Sequence, residues 1–148
     1  MLSFRFATRD RIAKAAAADR TRDVTTEQFR RLALSFPETV EGQHMDHPDF
    51  RVGGKIFATI SRDPKWGMVK LTLEQQEEFM RAEPKVFEPA AGAWGRGGAT
   101  MVRLKTAKKI TLRRAMAAAW CNTAPKGLAR QFEARFEIKM SNAELRAK

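Results

Sequence analysis

Apolar and polar positions alternate most regularly between His44 and Thr59, in HMDHPDFRVGGKIFAT, and the rest of the chain is organised around that stretch. Phe50 and Val52 share one face before Gly53-Gly54, and Ile56, Ala58 and Ile60 share one face after it. Side chains alternate sides along a strand, so both flanks can turn an apolar row to the same core. Gly-Gly accepts the positive φ angles of a two-residue hairpin turn. Pro48, with no amide hydrogen, suits a strand start. The pattern predicts a β-hairpin.

Helical spacing flanks it. Thr25 and Gln28 form a capping box ahead of Phe29, Leu32, Ala33 and Phe36, and Pro37 stops that helix. Thr39 to Met45 reads as a first strand. A turn from Ser61 to Gly67, containing Asp63-Pro64, leads to a short strand from Met68 to Leu71. Thr72 and Gln75 repeat the capping box for a helix over residues 72–82, with Phe79 and Met80 as its apolar contacts. Residues 85–98 read as a loop of small residues. Ala99 to Leu104 forms a last strand, with Val102 and Leu104 on one face. A helix from Lys108 to Asn122 should turn Ile110, Ala117, Trp120 and Cys121 inward. Beyond Pro125, Leu128, Phe132, Phe136 and Met140 recur every four residues. The order predicts an α+β domain, a two-layer sandwich with helices on one face of an antiparallel sheet. Residues 1–23 read as a flexible basic arm without an apolar stripe, 24–128 as the domain, and 129–148 as a basic helical extension.

Bulk composition narrows the class. A chain of 148 residues, 43% hydrophobic and 30% charged, has the length and balance of one soluble globular domain. The single cysteine, Cys121, excludes an internal disulfide and fits a reducing compartment. No apolar run approaches the roughly 20 residues of a membrane helix, and the first residues lack the apolar block of a secretory signal. A cytoplasmic location without a membrane partner is expected.

The net charge of +11 becomes informative once it is located. No acidic residue stands between Pro89 and Phe132, whereas Arg103, Lys105, Lys108, Lys109, Arg113 and Arg114 follow one another across a strand end and a helix start. Such a one-sided field attracts polyanions, or else forms a solvated face. Lys, Arg and helix N-terminal amides are the groups that hold phosphates. Lys109 and Arg113 fall on one helical face, and Lys105 can join them from the preceding loop. The hairpin turns add Lys55, Arg62 and Lys65. Trp66 beside them either stacks on a base or covers the edge of the core. In the loop from Gly92 to Gly98, backbone amides and Arg96 could meet a phosphate. The alternative has Trp94 plugging the sheet edge while the glycines permit a tight course. The glycine spacing matches neither a P-loop nor a dinucleotide fingerprint, so no cofactor is implied.

His44, Asp46, His47 and Asp49 are metal-ligand types, but strand alternation and Pro48 oppose the convergence of three or four ligands. Hydrogen-bonding roles at the strand start fit them better, and no metal is expected. Cys121 on an apolar helix face beside Trp120 reads as packing. Two histidines close in sequence and no Gly-x-Ser-x-Gly motif nominate no hydrolase triad, so no catalytic residue is assigned.

The motifs LALSFPETVEG, HPDFRVGGKIFA, the short strand with Lys70, and PAAGAWGRGG leading into TMVRL resemble the MmcQ/YjbR-like family of small bacterial proteins. The closing helix ending in Ala124-Pro125-Lys126-Gly127-Leu128 fits too, and the resemblance spans about residues 27–128. It implies a frataxin-like (CyaY-like) sandwich and DNA binding through a paired-hairpin "double wing". Frataxins are associated with iron through an acidic ridge near the first helix, where this chain has Glu27 followed by Arg30 and Arg31. The expected function is a non-enzymatic module binding DNA or another polyanion through the basic strand-helix segment and the hairpin turns. The alternative is a small-ligand or protein-binding domain using the sheet face around Arg51, Lys70 and Trp94.

Overall fold

Both Thr-x-x-Gln signals open helices. The Thr25 hydroxyl accepts from the Gln28 amide at 3.1 Å while the Gln28 side chain accepts from the Thr25 amide at 3.0 Å, starting α1 (Thr26–Leu34). Thr72 and Gln75 repeat this reciprocal pair at the start of α2 (Leu73–Ala82). Each box satisfies two amides that a helix start leaves without partners. The computed structural model describes residues 24–135. The basic arm over residues 1–23, and Phe136 and Met140, lie outside the described residues.

Six antiparallel strands form one sheet: β1 (Val40–His44), β2 (His47–Val52), β3 (Lys55–Ile60), β4 (Trp66–Lys70), β5 (Phe87–Pro89) and β6 (Ala99–Arg103). Their spatial order is β1-β2-β3-β4-β6-β5. A short helix α3 (Gly92–Arg96) precedes β6, and α4 (Lys109–Thr123) follows it. The turn between β2 and β3 has φ of 60° at Gly53 and 79° at Gly54, as a two-residue hairpin requires.

The helices cover one face of the sheet, giving the two-layer α+β sandwich. Phe29 of α1 packs on Phe50, with ring centroids 6.1 Å apart. Phe79 of α2 packs on Phe87 at 5.1 Å. Trp120 of α4 is fully buried, stacks on Phe36 at 6.2 Å and donates its indole N–H to the Pro37 carbonyl at 3.2 Å. Residues 126–135 are helical, and Phe132 lies 4.8 Å from Trp120 and 5.4 Å from Phe36. Residues past 128 therefore contribute to the core.

Four sequence expectations need correction. Ile56 does not join Ala58 on the core face. The β2–β3 register shifts between Phe50 and Arg51, so Ile56 pairs with Arg51 and Ala58 with Phe50, leaving Phe57 between them. Such a bulge reverses the inside-outside alternation beyond it. Phe57 is buried, 6.5 Å from Phe36, and Ile56 is only half-buried. Ile110 is 47% exposed rather than core-facing. Leu112, Ala115, Met116 and Ala119 form the buried stripe of α4, and Ile110 falls nearly opposite Leu112 at helical spacing. Trp94 plugs nothing: it is 64% exposed on α3. Residues 85–98 also hold order that small-residue composition hid, namely β5 and α3.

The glycines of that segment do permit a close course. Gly98 has φ of 111°, and a Cβ there would collide with the Leu71 carbonyl. The buried Gln76 amide of α2 pins the same segment, donating to the Gly95 and Ala99 carbonyls and the Thr100 hydroxyl, each at 3.1 Å.

Candidate nucleic-acid interface

Hairpins in an antiparallel sheet alternate ends, and this divides the basic residues. The turn between β3 and β4 and the link from β6 to α4 lie at one end. The Leu104 amide donates to the Lys65 carbonyl at 3.0 Å, continuing the β4–β6 pairing one step past Trp66 and Arg103. Arg62, Lys65 and Lys105 are thereby brought together, all exposed. The Thr106 hydroxyl donates to the Lys85 carbonyl at 2.8 Å and draws a further exposed cation to the same end.

The β3–β4 turn is rigidly built. Ser61 N–H donates to the Trp66 carbonyl at 3.0 Å, Trp66 N–H to Asp63 carbonyl at 3.1 Å, and Lys65 N–H to the Asp63 carboxylate at 3.1 Å. Asp63 is thus spent on its own turn, and the tip presents Arg62 and Lys65.

Lys108 is the N-cap of α4, without a side-chain cap, and Lys109 is its first residue. No acidic side chain stands in that first turn. The helix start therefore adds its partial positive charge to Lys105, Lys108 and Lys109. Among the described residues, ion pairs engage Arg30, Arg31 and Arg51, and none of the cations at this end.

Other members of the basic set are placed elsewhere. Lys55, beside the Gly53-Gly54 turn, and Arg96 on α3 lie at the opposite end of the sheet, a strand length of roughly 17 Å away. The structure does not bring them to Lys65 and Lys105. Arg103 turns to the sheet face away from the helices, its guanidinium 4.4 Å from the Trp66 ring centroid. Arg113 faces the helix layer, 5.8 Å from the Phe36 ring, and lines a groove of about 610 Å³ between α1 and α4 with Arg31 and Lys109. Arg114 is half-buried on the same helix.

The residues of the alternative site are also dispersed in role. Arg51 is held by Asp49 through two bonds of 2.8 and 3.0 Å. Asp49 is fully buried, and the Arg51 guanidinium keeps its carboxyl below the usual range against the opposing effect of burial. His44 Nδ1 approaches Asp49 to 3.3 Å, off the line of a hydrogen bond. Lys70 is exposed at the end of β4, and Trp94 stands on α3. The groove between α1 and α4, and a second groove lined by Trp66, Lys85, Arg103 and Thr106, include none of the three.

His44 and His47 face each other across the β1–β2 hairpin with ring centroids 4.7 Å apart. Asp46 sits exposed in the turn at φ of 67°. Among the described residues, no three His, Cys, Asp or Glu side chains converge as metal ligands would. The Cys121 thiol is half-buried, and burial followed by the nearby Glu133 carboxylate raises its pKa to about 12. Among the described residues, no helix is long and apolar enough to cross a membrane.

The sequence pointed to Arg62, Lys65, Lys105, Lys108 and Lys109, which lie at this end, but gave no notice that Lys85 stands beside them. Twenty residues separate Lys85 from its contact, and only β5–β6 pairing joins them.

The YjbR family model matches residues 34–122, more than half of the chain. The chain belongs to the YjbR family. Its fold is similar to the crystal structure of Deinococcus radiodurans protein DR2400, which carries the family domain DUF419, at a TM-score of 0.57 and 21% identity. That similarity covers 66% of this chain and 77% of the other. No curated protein matches the sequence. The YjbR match encloses β1 through most of α4, and so includes the whole basic end.

Proposed function

We propose that this YjbR protein is a non-enzymatic nucleic-acid-binding module, with DNA as its first ligand, and that it grips the phosphate backbone with the basic end of its sheet. The observation that carries the reading is the Leu104–Lys65 backbone bond. It joins the β3–β4 turn to the link before α4, bringing Arg62, Lys65 and Lys105 together with Lys108 and Lys109 at the helix start that follows, and among the described residues none of the five is in an ion pair. Cations on hydrogen-bonded backbone, beside helix-start amides, supply the charge and the donor groups that hold phosphates. Backbone contacts of this kind carry no base preference.

The test compares two sets of substitutions in one duplex-binding assay. Replacing Lys65, Lys105 and Lys109 by Ala should weaken binding to every duplex sequence alike. Replacing Lys55 and Arg96, at the far end, should have little effect. Equal losses from both sets would mean diffuse attraction by net charge, and no duplex binding at low salt would refute the reading. A small ligand or protein at Arg51, Lys70 and Trp94 has weaker support, because Asp49 already occupies Arg51.

A further inference from the structure

We propose that the groove beside the basic end receives an unpaired nucleobase, making single-stranded nucleic acid the preferred ligand; this rests on the phosphate-binding reading above. The groove, about 340 Å³, is bounded by Trp66, Lys85, Glu88, Arg103 and Thr106. Trp66 and Arg103 are direct cross-strand partners on the sheet face away from the helices. Their 4.4 Å approach places a planar cation over a half-buried indole. Bases stack on indole and guanidinium faces, and with the guanidinium already over the indole a base would extend this stack from the exposed Arg103 side. Neighbouring base pairs cover those faces inside a duplex, so only an unpaired base can use them.

Size and charge agree with this occupant. The volume lies at the small end of ligand sites, which begin at about 300 Å³, and admits a base but not a duplex. Lys65 directly precedes Trp66, Lys105 follows Arg103 by two residues, and Lys85 stands on the lip, fixed by the Thr106 hydroxyl. A backbone tracking these lysines would deliver a base to the stack. Glu88 closes the other side on β5. Its carboxylate repels phosphate from the groove and can accept from a ring or exocyclic N–H of a base, leaving the interior to an uncharged base.

The experiment follows indole emission while oligo(dT), or a duplex of equal length, is titrated at one fixed salt concentration. A Trp94→Phe background leaves Trp66 as the responsive indole, since Trp120 is fully buried. The expected result is quenching by oligo(dT), with an affinity about tenfold above that for the duplex. In variants that lack this indole, affinity is read from the anisotropy of fluorescently labelled oligo(dT) and duplex: Trp66→Leu should erase that preference, and Trp66→Phe, which keeps a ring in the strand, should retain much of it. Duplex binding equal to oligo(dT) binding, or a preference intact in Trp66→Leu, would overturn the inference and leave the phosphate-binding reading standing. Failure to bind either ligand would overturn both.

Discussion

The amide of Leu104 donates to the carbonyl of Lys65 at 3.0 Å, one residue beyond the last strand pair, Trp66 with Arg103. This bond makes the β3–β4 turn and the β6–α4 link parts of one surface. It also separates their exteriors by side: Trp66 and Arg103 face away from the helices, whereas Leu104 is buried. Exposed lysines and the Trp66–Arg103 pair thus lie side by side on hydrogen-bonded backbone.

The β-bulge can be tested by a paired truncation. Phe57 is fully buried against Phe36, so Phe57→Ala should cost about 3–5 kcal/mol. Ile56 is half-buried on the other face, and Ile56→Ala should cost about 1 kcal/mol or less. Chemical denaturation of the two variants decides it. The reverse order would restore the simple alternation.

Buried Asp49 should give stability a dependence on acid. Arg51 lowers the folded-state pKa of its carboxyl, so the contribution is fully present above the unfolded carboxylate pKa, about 3.9, and is lost as pH falls through the folded value. Asp49→Asn should therefore cost about 1–3 kcal/mol near neutrality and flatten the stability profile at acid pH. Urea unfolding across that range measures both effects.

Cys121 should be a slow thiol. With its pKa raised to about 12, the native protein should alkylate with iodoacetamide far more slowly at pH 8 than the denatured chain, whose thiol returns to about 8.5. Comparable rates would show that the helix 126–135 does not stay over it.

Much of the fold was legible because its signals are local. The capping boxes at Thr25 and Thr72, the Gly53-Gly54 turn and the alternation around Phe50 are each complete within a few residues. Ile56 was misplaced because a bulge is a property of two paired strands, and one strand's alternation does not reveal it. Ile110 and Trp94 are apolar residues that lie off the buried stripes, which only packing defines. The basic side chains themselves were legible, Arg96 and Lys105 within the acid-free stretch after Pro89 and Lys55, Arg62 and Lys65 in the hairpin turns. Their division was not, because hairpin direction sends Lys55 and Arg96 to one end and Lys65 and Lys105 to the other. Lys85 joined them through a Thr106 contact that no local pattern announces.

The salt dependence of duplex binding tests the central claim most directly. Each phosphate neutralised should contribute about 0.9 to the slope of log affinity against log salt concentration. Wild-type protein should bind duplex DNA of any sequence with a steep slope. Replacing Lys65, Lys105 and Lys109 by Ala should flatten it by about 0.9 per contact removed, while replacing Lys55 and Arg96 should leave it unchanged. An absence of binding at low salt, or a slope that responds to Lys55 and Arg96 but not to the three lysines, would contradict the account.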